Sequence, residues 1–256
     1  FTVDATAPAT PGVQIPDAPH GVNATEALDG VALVVNLPND AVAGDTLTSV
    51  VTKPDGTTLT LTRVLTAADI TAGQFTQTVP QSELLSSGSA TAYRDGAWTT
   101  STTLTDAAGN TSPAQADGFM LSANGPSLTL NTVAGDGTVN SLEKAGDLPV
   151  SGTTTAEAGQ AVTVQLVAAN GTVIGTYYTI VQPDGSFALN IPQAALPADG
   201  SYTLKADVSN FAGTPAVQQT SPVIFDTTAP VISVTSVAGD AVTATGSGSG
   251  VAAGTT

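Results

Sequence analysis

Asp95-Gly-Ala-Trp98-Thr-Thr-Ser-Thr-Thr-Leu-Thr-Asp106-Ala-Ala-Gly109 lies without a gap over Asp199-Gly-Ser-Tyr202-Thr-Leu-Lys-Ala-Asp-Val-Ser-Asn210-Phe-Ala-Gly213. Each copy opens on an Asp-Gly turn, continues as an alternating strand from a large aromatic, and closes in a turn carrying Gly. Thr-rich composition alone does not give the same order twice, so one structural unit is repeated. A wider echo agrees. Asp4-Ala-Thr-Ala-Pro8 and Asp226-Thr-Thr-Ala-Pro230 bracket a degenerate Ser122-Ala-Asn-Gly-Pro126. The prolines at 8, 126 and 230 are 118 and 104 residues apart, sizes that suit single small β-domains.

Working outward, the hydrophobic pattern has period two. In Thr58-Leu59-Thr60-Leu61-Thr62 the leucines face one side. Val162, Val164 and Leu166 do the same, as do Tyr202, Leu204, Ala206 and Val208, leaving Thr203, Lys205 and Asp207 on the wet face. β-Branched Thr and Val suit a pleated surface. Pro54-Asp55-Gly56, Asn170-Gly171 and Pro183-Asp184-Gly185 punctuate the runs as turns. About seven strands per ~100 residues is the pattern of an immunoglobulin-like sandwich. Tyr202 fits a tyrosine corner, with Trp98 in the same place one repeat earlier. Short helical turns are expected at 67–72, 81–85 and 193–196, and no longer helix. The fold class is therefore all-β: tandem Greek-key Ig-like β-sandwiches in a linear array. Residues 1–122 form domain 1, 123–226 domain 2, and 227–256 the start of a third repeat. In that third repeat Val231–Thr235 echoes Leu128–Leu130, and Gly254-Thr-Thr256 echoes Gly152-Thr-Thr154. A tail this short cannot bury a core, so it is expected to be extended, mobile or held by a neighbour.

Composition narrows the function. The 256 residues include 5 basic and 21 acidic side chains, a net charge of −16, which argues against nucleic acid or anionic lipid as partners. No apolar run approaches the ~18 residues that cross a bilayer, so no direct membrane insertion is expected. With no Cys and one His, disulfide frameworks and Cys/His zinc sites are excluded. The acids are 17 Asp against 4 Glu, and Asp favours turns, caps and hard-cation sites. The opening Phe1-Thr2-Val3-Asp4 reads as a piece cut from something longer.

These residues resemble the tandem bacterial Ig-like extender domains of giant calcium-dependent adhesins of the RTX and biofilm-associated type. The likeness lies in the Asp-x-Thr-Ala-Pro linkers, in Asp136-Gly-Thr-Val-Asn140-Ser-Leu-Glu143 after the first strand, and in Asp106-Ala-Ala-Gly-Asn110 late in the domain. It covers both full units and the third fragment. The resemblance implies type I secretion to the cell surface, Ca²⁺ at domain junctions, and a stiff stalk that projects a distal ligand-binding domain.

Topology independently nominates places for the cation. In an Ig-like domain the start of strand A and the F–G loop share one end, and the A–B segment and the end of strand G share the other. A junction therefore gathers an A–B acidic segment, a linker and the F–G loop of the next domain. After domain 2 these are Asp136, Asn140, Glu143 and linker Asp226. Before domain 1, linker Asp4 meets Asp106 and Asn110. Between the domains stand Asp17, Asn23, Glu26, Asn124 and Asn210. Here Ser122 replaces the linker Asp and Asn210 the loop Asp, so Ca²⁺ is expected to be weak or absent. The competing reading is that the acids only cap turns.

Catalytic signals are thin. His20, the one imidazole, sits in a Pro-rich loop and reads as solvated. Trp98, Tyr93, Tyr177 and Tyr178 are candidates for sugar stacking, but Trp98 shares a strand face with Leu104 and reads as core. Asn23-Ala-Thr25 and Asn170-Gly-Thr172 are sequons that a bacterial chain would leave idle, and Arg94-Asp95-Gly96 reads as a hairpin turn. The expectation is a non-enzymatic stalk segment whose partners are neighbouring repeats of its own chain. The alternatives are an adhesin module binding a surface glycan or a host or biofilm ligand, and an accessory region of a secreted hydrolase.

Overall fold

The computed structural model describes residues 3–234 and 244–247. The chain divides into two compact units. Unit 1 holds residues 1–127 together with 155–160 and 208–217, and unit 2 holds 128–154, 161–207 and 218–256. The linker through Ser127 thus packs in unit 1 with two loops supplied by later sequence.

Unit 1 contains β1 (Gly12–Gln14), β2 (Val31–Asn36), β3 (Thr46–Thr52), β4 (Thr58–Val64), β5 (Gln74–Val79), β6 (Gly96–Thr105) and β7 (Gln115–Leu121). They form sheets in the order β1-β2-β5 and β4-β3-β6-β7. The chain changes sheet between β2 and β3, β4 and β5, and β5 and β6, the Greek-key winding of an Ig-like sandwich. Helix α1 (Ala67–Ala72) and helix α2 (Gln81–Leu84) occupy two of the expected helical turns, and Gln193–Ala195 forms a 3-10 turn at the third. A full capping box starts α1: Asp69 N–H donates to Thr66 Oγ1, and the Asp69 carboxylate accepts from the Thr66 backbone.

Alternation places Trp98, Thr100, Thr102 and Leu104 of β6 on the inner face, all buried. Two apolar clusters result, one around Leu33, Val51, Val79, Trp98 and Phe119, the other around Val35, Leu47 and Leu104. A polar layer lies between them at the intermediate positions of β3, β5 and β6. Ser49 Oγ donates to Gln77 Oε1 (2.7 Å) and lies 2.9 Å from Thr102 Oγ1, so these buried hydroxyls satisfy one another. Trp98 stacks on Phe119 at 5.5 Å, and its indole N–H donates to Arg94 O, four residues upstream.

The second sandwich repeats the plan with β8 (Leu128–Leu130), β9 (Thr138–Val139), β10 (Leu148–Thr154), β11 (Ala161–Ala168), β12 (Val173–Ile180), β13 (Ser186–Ile191), β14 (Gly200–Val208) and β15 (Gln219–Phe225). The sheets run β13-β10-β8 and β12-β11-β14-β15-β9. Tyr202 makes the expected corner, its hydroxyl donating to Ala198 O at 3.1 Å, again four residues upstream. Two-residue β9 runs parallel to β15, and its counterpart in unit 1 is the single parallel bridge Val22–Leu121. Strand β16 (Val231–Val234) pairs antiparallel with β17 (Ala244–Ser247), while the Gly254–Thr256 echo lies outside the described residues.

Gly152 of β10 is squeezed between its neighbours. A Cβ there would stand 2.0 Å from Thr129 O and 2.4 Å from the Phe187 ring. Gly152→Ala is expected to destabilise unit 2 by about 1–3 kcal/mol in urea unfolding. Gly146→Ala, with open space around it, serves as the neutral control. A second expectation concerns acid. Hydrogen bonds from the Arg63 guanidinium, and then from Thr66, hold the Asp69 carboxyl down at about 2. A lowered folded value stabilises above the ordinary carboxylate range and is lost as pH falls through the folded one. Unit 1 should therefore lose stability between pH ~4 and ~2, and Asp69→Asn should flatten that dependence in pH-resolved melting.

Candidate functional site

The sequence-nominated acids all sit at the ends of the sandwiches, and the strands explain why. β9 pairs in parallel with the last residues of β15, so Asp226 N–H donates to Val139 O and the linker Asp leaves the sheet beside Asn140. Asn140 and Glu143 bind each other: Asn140 N–H donates to Glu143 Oε2 (2.9 Å), and Asn140 Oδ1 accepts from the Leu142 and Glu143 amides. Asn23 and Glu26 repeat this arrangement, with Asn23 N–H on Glu26 Oε2 at 2.9 Å and Asn23 Oδ1 accepting from the Thr25 and Glu26 amides. Asp136 Oδ1 accepts from Thr138 N–H, and Asp226 Oδ1 from Thr228 N–H. Asp17 lies near Glu26 and Asp29. Desolvation, and then repulsion from those two carboxylates, raises its pKa.

At the other end, Asp106 Oδ1 accepts from the Ala108 and Asn110 amides and Oδ2 from Asn110 Nδ2. The Asn110 side-chain bond is the main reason the Asp106 carboxyl is held below its usual value. Asn110 Nδ2 also donates to Asp4 O (3.2 Å), so linker and F–G loop meet as the topology requires. In unit 1 the loop 208–217 also meets the linker, here without a carboxylate: Asn210 Nδ2 donates to Ser122 O (2.8 Å) and Asn124 O (3.2 Å).

Two residues that sequence reasoning passed over as turn formers do more. Asp95 accepts from the Ala123 and Asn124 amides at 2.9 and 3.0 Å. Asp199, its partner in the gapless alignment, accepts from Thr227 N–H at 3.0 Å and from the Thr227 and Thr228 hydroxyls. Both carboxylates hold the backbone of the linker that leaves their own sandwich. Hydrogen bonds from the Thr227 amide, then from its hydroxyl, lower the Asp199 pKa. The signal was available, since both Asp-Gly turns stand at one distance ahead of a corner aromatic.

The donors at these ends are oxygens only: carboxylates, side-chain amides and backbone carbonyls, the set a hard cation such as Ca²⁺ takes. Among the described residues no three His, Cys, Asp or Glu side chains gather into a metal-holding group, so a cation here would draw on amide and carbonyl oxygens too. His20 is exposed in a 3-10 turn, and Trp98, 1% exposed, is core. Arg94 spans back to Leu85 O and pairs with Asp55, so Arg94-Asp95-Gly96 is a tied corner rather than a free turn. A shallow pocket lined by Leu37, Pro38, Asn39, Ala41, Ile70 and Gly73 contains no titratable side chain.

The architecture is that of tandem Ig-like and fibronectin-III-like β-sandwiches. No family model and no curated protein matches the chain. Among solved structures, it is similar to part of a bacterial ice-binding adhesin of 1.5 MDa, at 22% identity and a TM-score of 0.45, covering 88% of this chain and 67% of that one. It is also similar to a Ca²⁺-stabilised, ice-binding adhesin of an Antarctic bacterium (27%, TM-score 0.42, 91% and 54%). A single bacterial immunoglobulin-like domain of the M. primoryensis ice-binding adhesin is 30% identical (TM-score 0.30, 39% of this chain and 96% of that one). The chain spans about half the length of two of the solved adhesin structures it matches. All three of these neighbours are parts of bacterial ice-binding adhesins.

Removing a clamp should release the linker alone. Asp199→Ala is expected to speed amide exchange at Thr227 severalfold, and Asp95→Ala to do so at Ala123 and Asn124, with β6 and β14 protection unchanged. Exchange measured residue by residue checks this.

Proposed function

We propose that this chain is a non-catalytic spacer segment of a large bacterial surface adhesin, whose consecutive sandwiches hold a distal binding domain away from the cell. The observation that carries this reading is the repeated clamp: Asp95 and Asp199 each fix the outgoing linker of their own sandwich. A repeat that anchors the route to its successor suits a chain built for reach. A net charge of −16 would keep neighbouring stalks apart and soluble. Export by type I secretion and a part in biofilm formation belong to the same reading.

Calcium belongs to the proposal as well. Asp4, Asp106 and Asn110 at one end, and Asp136, Asn140, Glu143 and Asp226 at the other, supply hard-cation donors beside a linker. Asp17 and Glu26 form a further acidic pair next to Asn23. Like charges brought together cost stability, roughly 3 kcal/mol for a pair ~5 Å apart at an effective dielectric of 20. A divalent ion with 6–8 oxygen ligands reverses the sign. Extracellular modules bind Ca²⁺ at ~10⁻⁴–10⁻³ M, which suits the outside of a cell.

Small-angle scattering and thermal melting with Ca²⁺ or EDTA test the reading. Chelation is expected to increase bending and lower at least one melting transition. Scattering and melting unchanged by EDTA would remove calcium from the account, and saturable glycan binding would favour a recognition module.

A further inference from the structure

The two linkers meet their F–G loops through different chemistry. At the first, Asp4 O is met by Asn110 Nδ2, which is shared with the Asp106 carboxylate, so acid remains beside the linker. In the gapless alignment Asn210 stands where Asp106 does, and in the separate linker echo Ser122 stands where Asp4 does. Two carboxylates have been replaced by neutral groups at one place.

The replacement forms a complete set of hydrogen bonds. Asn210 and Thr214 are each only 6% exposed. Asn210 Oδ1 accepts from Thr214 N–H (2.9 Å), which leaves the amide nitrogen facing the linker. There Nδ2 donates to Ser122 O and Asn124 O, one bond for each of its two hydrogens. Thr214 Oγ1 donates to Ser122 O (2.7 Å) and accepts from Ala24 N–H (3.3 Å). Beside them, Phe211 N–H donates to Glu157 Oε2. Two backbone carbonyls converge on one point, and the amide N–H₂ group fills it.

We propose that the Asn210 amide does at this linker what a cation would do, binding the Ser122 and Asn124 carbonyls, so that this joint closes without metal. A carboxylate in the same pocket would face those two oxygens with no donor of its own and would repel them. The inference does not rest on the spacer reading, and it concerns residues apart from the acidic ends at Asp106 and Asp226.

Amide hydrogen exchange on the full chain, in millimolar Ca²⁺ and in EDTA, tests it. In the wild type, protection at Ala24 and Thr214 is expected to be the same in both buffers. Asn210→Asp in EDTA is expected to lose about tenfold or more of the Ala24 protection. A fall in wild-type protection at Ala24 and Thr214 on adding EDTA would overturn the proposal. So would an Asn210→Asp variant that keeps wild-type protection in EDTA. If that variant does not fold, the wild-type comparison decides alone. EDTA effects confined to Asp106 or Asp226 bear on the spacer reading and leave this one untouched.

Discussion

The backbone of each outgoing linker is held by side chains, and the rest of the organisation depends on that. A β-sandwich satisfies its own strands through ladder hydrogen bonds, but the peptide leaving its last strand has amides and carbonyls with no ladder partner. Asp95 and Asp199 supply acceptors for those amides, and Asn210 and Thr214 supply donors for the Ser122 and Asn124 carbonyls. Short side chains suit the task, because Asp and Asn lose little rotamer freedom on being fixed. The anchors are covalently part of the corner that also carries Trp98 or Tyr202. Linker geometry is thereby tied to the sandwich core, through Trp98 Nε1 on Arg94 O and Tyr202 Oη on Ala198 O.

Much of this was legible in the sequence, for identifiable reasons. Period-two alternation is strong where inward positions are Val, Leu or an aromatic, so β11, β14 and the ends of β6 read correctly. The helical turns read correctly because small and acidic residues follow a capping Thr66 or a helix-starting Pro80, and the corner aromatics read correctly because they recur in register. The polar layer did not. Thr100 and Thr102 lie on the buried face of β6, yet Thr in a Thr-rich strand carries no sign of being inside. Its partners Ser49 and Gln77 are 28 residues apart, a pairing only tertiary structure makes. β9 escaped notice because two residues are too few to show a period.

The candidate site divides similarly. Topology correctly brought Asp226 to the β9 segment and Asn110 to the Asp4 linker. It could not say which polar groups already satisfy one another. Asn23 with Glu26, and Asn140 with Glu143, close reciprocal backbone caps, so these acids have a folding role whatever else they bind. Asp95 and Asp199 were hidden by a motif with a sufficient local explanation. Asp-Gly is so natural a turn that nothing local points to an acceptor for an amide 28 residues away.

The central claim is that the linker is an ordered part of the fold rather than a tether. Backbone ¹⁵N relaxation of the full chain in solution tests it most directly, by comparing amides 122–125 with those of β6 and β7. The account predicts order parameters at the linker equal to those of the strands, about 0.85. Values below about 0.6 at those amides, with the strands still rigid, would contradict it.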